Sequence, residues 1–175
     1  MDGDPIVVAG IEVPSDAPLF LLVLGVHVLF GLICVVTGCV AMLSVKRPGR
    51  HPRYGTYYYW SLTVVFATVV VLSAVRWSEN YHLFILGILS LAAATIGRSA
   101  RRSGRRNWVR LHISSLGASY VLLLTAFYVD NGPNLPLWNK LPPIAFWLLP
   151  ALVGTPLILW ALLRHPLVRN RMPSA

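Results

Sequence analysis

The sequence predicts an all-α integral membrane protein: a bundle of five transmembrane helices, N-terminus outside and C-terminus cytoplasmic. Three observations predict it. First, 56% of the 175 residues are hydrophobic and only 12% are charged, where a soluble domain carries about 25% charged residues. Second, five apolar runs, each close to the ~20 residues that cross a bilayer as a helix, occupy most of the chain. Third, the charges sort by side. The stretch Arg98–Arg110 holds six arginines and no acid. Short positive loops resist translocation, so this one stays in the cytoplasm. With it inside, all but Arg76 and Lys140 of the 15 Lys and Arg fall inside, and all 6 Asp and Glu fall outside. A four-span arrangement would move loops to the wrong side and break both regularities. The formal charge of +9 then needs no nucleic-acid partner, because arginines beside anionic headgroups account for it.

Residues 1–18 carry Asp2, Asp4, Glu12 and Asp16, with Pro5, Pro14 and Pro18 and no Lys or Arg. A secretory signal starts basic; this acidic start reads as a short external tail. The membrane domain follows over residues 19–163. Leu19–Val45 is 27 residues without a charge, longer than a span needs, so its helix tilts or overhangs. Lys46, Arg47, Arg50 and Arg53, broken by Pro48, Gly49 and Pro52, form a cytoplasmic turn. The second span, Thr56–Val75, opens on Tyr57-Tyr58-Tyr59-Trp60, an interfacial aromatic belt. A short external link, Arg76–His82, leads into the third span, Tyr81–Gly97. After the arginine loop comes the fourth span, Leu111–Val129. Asp130–Pro143 is an external loop rich in turn residues. The fifth span, Ile144–Leu163, contains Pro150 and Pro156, whose freed carbonyls need other partners. Arg164–Ala175 is a basic cytoplasmic tail. Cys34 and Cys39 lie about 140° apart on one helix; they cannot bridge within it and read as small buried hydrophobes.

Polar side chains in a bilayer are costly and therefore draw attention. His27 lies roughly 12 Å into the first span. Gly31, Cys34 and Gly38 share its face, which leaves room beside the imidazole for something flat. The plainer reading is a close helix approach with His27 hydrogen-bonding across it. His82 opens the third span on the outer side, with Glu79 one turn before it; an ion pair between Glu79 and Arg76 is the plainer reading there. His112 opens the fourth span on the inner side, with Ser115 and Ser119 on its face, where a histidine near lipid phosphates is the alternative. His51 sits between Arg50 and Pro52 before the second span. Asp130 and Asn131 end the fourth span, as a helix stop also would. His165 lies in the basic tail.

The four span histidines alternate. His27 and His82 belong to spans one and three, toward the outside; His51 and His112 belong to spans two and four, toward the inside. Alternate helices of an up-down bundle can face each other diagonally, and a haem with two axial histidines needs one imidazole on each side at matching depth. This placement resembles that of the dihaem transmembrane cytochromes b, which carry a histidine on each of four helices, paired on alternate helices. The likeness implies haem b held by His27, His82, His51 and His112, and electron transfer in the membrane, with a potential set by ligand type and burial. The bilayer and a quinone or other apolar small molecule are the partners such a protein would have.

A second resemblance lies in the residues themselves. His51-Pro-Arg-Tyr-Gly-Thr-Tyr57 looks like the His-Arg-x-x-Gly-x-x-Tyr block of an uncharacterised family of bacterial polytopic membrane proteins, the domain of unknown function numbered 2306. The run from His27 through Gly31 and Gly38 to Ala41-Met42 is similar to that family too, as is Trp108-Val-Arg110 after its basic loop. Where the family often has a histidine just before the tryptophan, this chain has Arg106-Asn107, with His112 beyond it. The resemblance implies the same polytopic fold and a bacterial cytoplasmic membrane.

The alternative function is an intramembrane enzyme acting on a lipid or apolar metabolite. Glu79, His82, Asp130, His112 and Tyr120 would supply its general acids and bases. The inner histidines and outer acids are roughly 30 Å apart along a helix, so only an outer site of Glu79, His82, Asp130 and His27 is compact. No His-x-x-x-His spacing supports a metal centre. A transporter is the third class: Pro150 and Pro156 suit a broken helix, but no acid lies deep in a span to couple an ion.

Overall fold

Pro18 opens the first helix at a position where its missing N–H has no intrahelical acceptor and its fixed φ suits the turn. From there the computed structural model is helical almost throughout. It describes residues 6–8, 11–13, 15, 17–104 and 106–169. The helices are α1 Pro18–Leu43, α2 Arg50–Val75, α3 Trp77–Ser103, α4 Trp108–Asn131, α5 Pro143–Arg164 and a four-residue α6, Pro166–Arg169. Ahead of α1, β1 (Ile6–Val8) and β2 (Ile11–Val13) pair antiparallel, with Ile6 opposite Val13. The acidic start of the chain was expected only as a tail, and this pairing is an addition to it.

Five helices are long and apolar enough to cross a membrane, as expected. Their surfaces agree: Leu22 is 64% exposed, Leu32 64% and Leu152 65%. Apolar exposure along whole helices is penalised by water and suited to lipid.

The element edges differ from expectation in instructive ways. α2 starts at Arg50 rather than Thr56 and takes in His51 and Pro52. Proline is tolerated there because the first-turn N–H groups have no intrahelical acceptor. The link between the second and third spans shrinks to Arg76, so Glu79 lies in the first turn of α3. α3 also runs on through Arg98, Arg101 and Arg102 to Ser103. It stops at Gly104, whose φ of +59° suits glycine at a helix end. The arginine loop is thus two helix ends and a linker. In the aromatic belt, Tyr57 and Trp60 are exposed while Tyr58 is buried. Cys34 is buried as expected, but Cys39 is exposed, a correction that follows from their angular separation on α1. The Asp130–Pro143 loop contains 3-10 turns at Gly132–Asn134 and Trp138–Lys140.

Lys46 closes α1. Its ammonium donates to the carbonyls of Ala41 (3.1 Å), Met42 (2.5 Å) and Ser44 (3.0 Å), satisfying groups a helix end leaves open. Partial burial lowers the Lys46 pKa from its ordinary value.

The chain divides into two compact units, residues 1–87 and 88–175. In the first, α1 and α2 pack antiparallel: His27 meets Thr68, the Cys34 thiol meets the Tyr58 carbonyl at 3.6 Å, and His51 meets Ala41. The first turns of α3 run antiparallel to α2. There the Ser73 hydroxyl reaches the Asn80 carbonyl at 3.4 Å, and the Phe66 and Phe84 rings lie 5.9 Å apart.

The second unit packs through small residues. The Ser90 hydroxyl on α3 donates to the Ser119 carbonyl on α4 at 2.9 Å, and both residues are fully buried. Between α4 and α5, a Cβ added at Gly117 would lie 2.5 Å from Ile158 Cγ1, and one at Gly154 would overlap Val121. Small residues let lipid-embedded helices approach closely, and buried hydroxyls bond between them.

Candidate functional site

Three of the four span histidines share one local design. His27 on α1 places Nδ1 2.8 Å from Thr68 Oγ1 on α2. His51 on α2 places Nδ1 2.8 Å from the Ala41 carbonyl on α1. His112 on α4 places Nδ1 2.8 Å from the Gly97 carbonyl on α3. All three rings are half-buried.

Two of these bonds fix the proton. A carbonyl only accepts, so Nδ1 donates in His51 and His112. Thr68 has a single hydroxyl proton, and its Oγ1 lies 3.0 Å from the Val64 carbonyl and 2.8 Å from the Val65 carbonyl. The Thr68 hydroxyl can therefore donate to its own helix and accept from His27 Nδ1, or donate to Nδ1, according to the tautomer. In the neutral His51 and His112 rings Nδ1 carries the hydrogen and Nε2 the lone pair. That is the tautomer of a histidine held to ligate through Nε2. His165 behaves oppositely: its Nδ1 accepts the Leu167 N–H at 3.3 Å, at the start of α6.

His82 is half-buried near the start of α3. Its level follows from its neighbours. Asn80 stands opposite Ser73, and Phe84 opposite Phe66. His82 therefore falls between these two on α2, within about one helical turn, ~5.4 Å, of Thr68. Thr68 is the partner of His27, so the two histidines stand at similar levels along α2; His82 lies about 200° round α3 from Phe84, whose ring meets α2, on the face turned away from that helix. Tyr81 is edge-on to His82 at 5.6 Å, while Trp77 packs on Phe84 at 5.5 Å on another face of α3. His51 belongs to the first unit and His112 to the second.

Glycine stands one helical turn after two of the histidines, Gly31 after His27 and Gly55 after His51. A Cβ at either would meet nothing within 4 Å. The expected close helix approach is met farther along the strip, where Cys34 and Gly38 are buried and Cys34 meets the Tyr58 carbonyl, and His27 bonds across to α2; Gly31 itself stands clear.

The residues of the enzyme alternative are arranged otherwise. Glu79 is ion-paired with Arg76, and both side chains are largely exposed. Asp130 is exposed at the end of α4 in the second unit, where Asn131 Nδ2 donates to it at 3.2 Å. Tyr120 is half-buried on α4, about 12 Å along the axis from His112.

Among the described residues no group of three or more His, Cys, Asp and Glu is placed to hold a metal ion. Haem makes a smaller demand, because the macrocycle supplies the equatorial ligands and the protein supplies one or two axial ones. The histidine tautomers and the open glycines fit that demand. Sequence reasoning missed Thr68, the Ala41 and Gly97 carbonyls, and the repeated His-x-x-x-Gly at Gly31 and Gly55. Only the last had a signal in the sequence.

No protein-family model, curated protein or solved structure matches this chain.

Proposed function

We propose that the chain is a b-type haem protein of a bacterial cytoplasmic membrane that carries electrons, with His27, His82, His51 and His112 as the residues that would hold it. The observation that carries this reading is the shared anchoring: three histidines on three helices, each with Nδ1 held by an oxygen 2.8 Å away. A structural histidine needs only some hydrogen bond. A ligand needs its outer nitrogen occupied and its ring orientation fixed, which raises its basicity.

Haem would supply a one-electron couple. The protein's part is to hold the imidazoles, exclude water and set the potential. Thr68 and the two carbonyls fix the rings. Gly31 and Gly55 leave open space beside two of them. Apolar helices around a bound haem would favour the less charged state of the iron. The enzyme alternative has less support, because Arg76 already engages Glu79.

The electron path would run through a membrane in which Arg98–Arg110 faces the cytoplasm and the acidic residues face outward. Single cysteines at Asn80 and Arg102, in a background with Cys34 and Cys39 replaced by alanine, should react with an impermeant maleimide from opposite sides of intact cells. Reaction of both from one side would overturn this orientation.

The proposal as a whole is tested by the absorbance of detergent-purified protein, oxidised and then reduced, from cells well supplied with iron. A Soret band that sharpens and shifts on reduction is expected. A colourless, fully helical protein would remove the haem reading.

A further inference from the structure

The chain between α4 and α5 folds back onto the helix it leaves. α4 ends at Asn131, yet the Trp138 ring stacks on Tyr128, three residues before that end, with centroids 4.6 Å apart. At the start of the loop Gly132 is buried, and a Cβ there would lie 2.8 Å from the Phe146 ring on α5. The segment is thus pinned to both helices within the second unit. Its composition is not that of a solvated loop. Residues 132–143 hold three leucines, four prolines and a tryptophan, with Lys140 the one charge.

Between the pins stands Leu137. Among the described residues it is the only non-glycine with a positive φ, at φ 72° and ψ −40°. L side chains rarely adopt this conformation, and glycine takes it without steric cost. The Leu137 side chain is 77% exposed, so packing within the chain does not offset the strain. In water a leucine here is penalised twice, once by its backbone and once by its exposed apolar surface. Among acyl chains the second penalty becomes a gain that opposes the first.

We infer that this loop lies in the interfacial layer of the bilayer, with Leu137 inserted among the acyl chains as an anchor for its end of the α4–α5 pair. Lipid is the occupant that the surroundings favour. Leu141, Ile144 and Leu148 are exposed and carry apolar surface without a break from the loop onto α5, a helix long and apolar enough to cross a membrane. Tyr128 and Trp138 are residue types that settle at headgroup level. Lys140 is exposed, and its long stem lets the ammonium stay in water while the carbons lie along lipid. The inference is independent of haem, since it concerns other residues and another chemistry.

Spin labelling of the full chain in phosphatidylcholine vesicles tests it. Leu137→Cys, Asn134→Cys and Leu148→Cys are made one at a time, with Cys34 and Cys39 replaced by alanine, and each carries a nitroxide. All three positions are exposed, so the label displaces no packed side chain. Collisions with oxygen, which concentrates in lipid, are compared with collisions with a water-soluble nickel chelate. Asn134, in the same loop, is the water reference, and Leu148 on α5 is the lipid reference. The oxygen-to-nickel ratio at position 137 should exceed that at 134 several-fold and lie nearer to that at 148. A ratio nearer to that at 134 would overturn the inference. A label at 137 shielded from both reagents would place protein, a second copy included, over Leu137 and would overturn it as well.

Discussion

His27→Ala is expected to lose the haem held through that residue, seen as a fall in haem per chain and in Soret intensity. The helices should stay folded, because interhelical bonds such as that from His27 to Thr68 are worth only about 1 kcal/mol in membranes. Two companions sharpen the test. Thr68→Val keeps the shape but removes the oxygen that holds Nδ1. It should weaken haem binding about 10- to 100-fold and raise the reduction potential, because a less basic imidazole stabilises the oxidised iron less. Gly31→Leu should leave the fold intact, since a Cβ there meets nothing within 4 Å, yet lower haem occupancy by filling the space beside His27. Three variants with unchanged spectra would sever the link between this histidine and a cofactor.

Gly154→Leu has the largest expected effect on stability. A Cβ at Gly154 already overlaps the Val121 side chain, so every further atom forces α5 away from α4. Overpacking of this kind costs about 1–3 kcal/mol or more, and the loss should appear as a lower midpoint in thermal unfolding followed by circular dichroism. Gly117→Ala, aimed at Ile158 Cγ1 from 2.5 Å, should act in the same direction to a smaller degree. Gly25→Ala meets nothing within 4 Å and should be neutral or stabilise slightly through helix propensity. Equal midpoints for Gly154→Leu and Gly25→Ala would mean that α4 and α5 do not pack as described.

The five helices were legible because lipid imposes a simple requirement: about twenty apolar residues in a row, with charges outside. Their ends were less legible, because that rule says where a charge is costly and not where a helix stops. Arg50, His51, Pro52 and Arg53 are poor residues for a bilayer and acceptable ones for a first helical turn. The same holds for Arg101 and Arg102 in a last turn, where positive side chains suit the helix dipole. The strand pair Ile6–Val8 and Ile11–Val13 was passed over because the acids and prolines around it dominated the reading.

The histidines were found from their rarity in apolar runs, and their depths from counting along each run. Their partners were not. Thr68 is one of several threonines in apolar sequence, and the Ala41 and Gly97 carbonyls leave no mark in the sequence. Each becomes a partner only through the register between antiparallel helices, which side-chain packing sets. The Glu79–Arg76 pair, by contrast, could be read directly, since three residues along one helix bring both charges together.

The account depends most on iron held by two imidazoles. Electron paramagnetic resonance of the oxidised, purified protein reports the ligand field directly. A low-spin ferric signal of bis-histidine type is expected, converted to high spin by His82→Ala. A high-spin signal in the unaltered protein, or no iron signal at all, would contradict it.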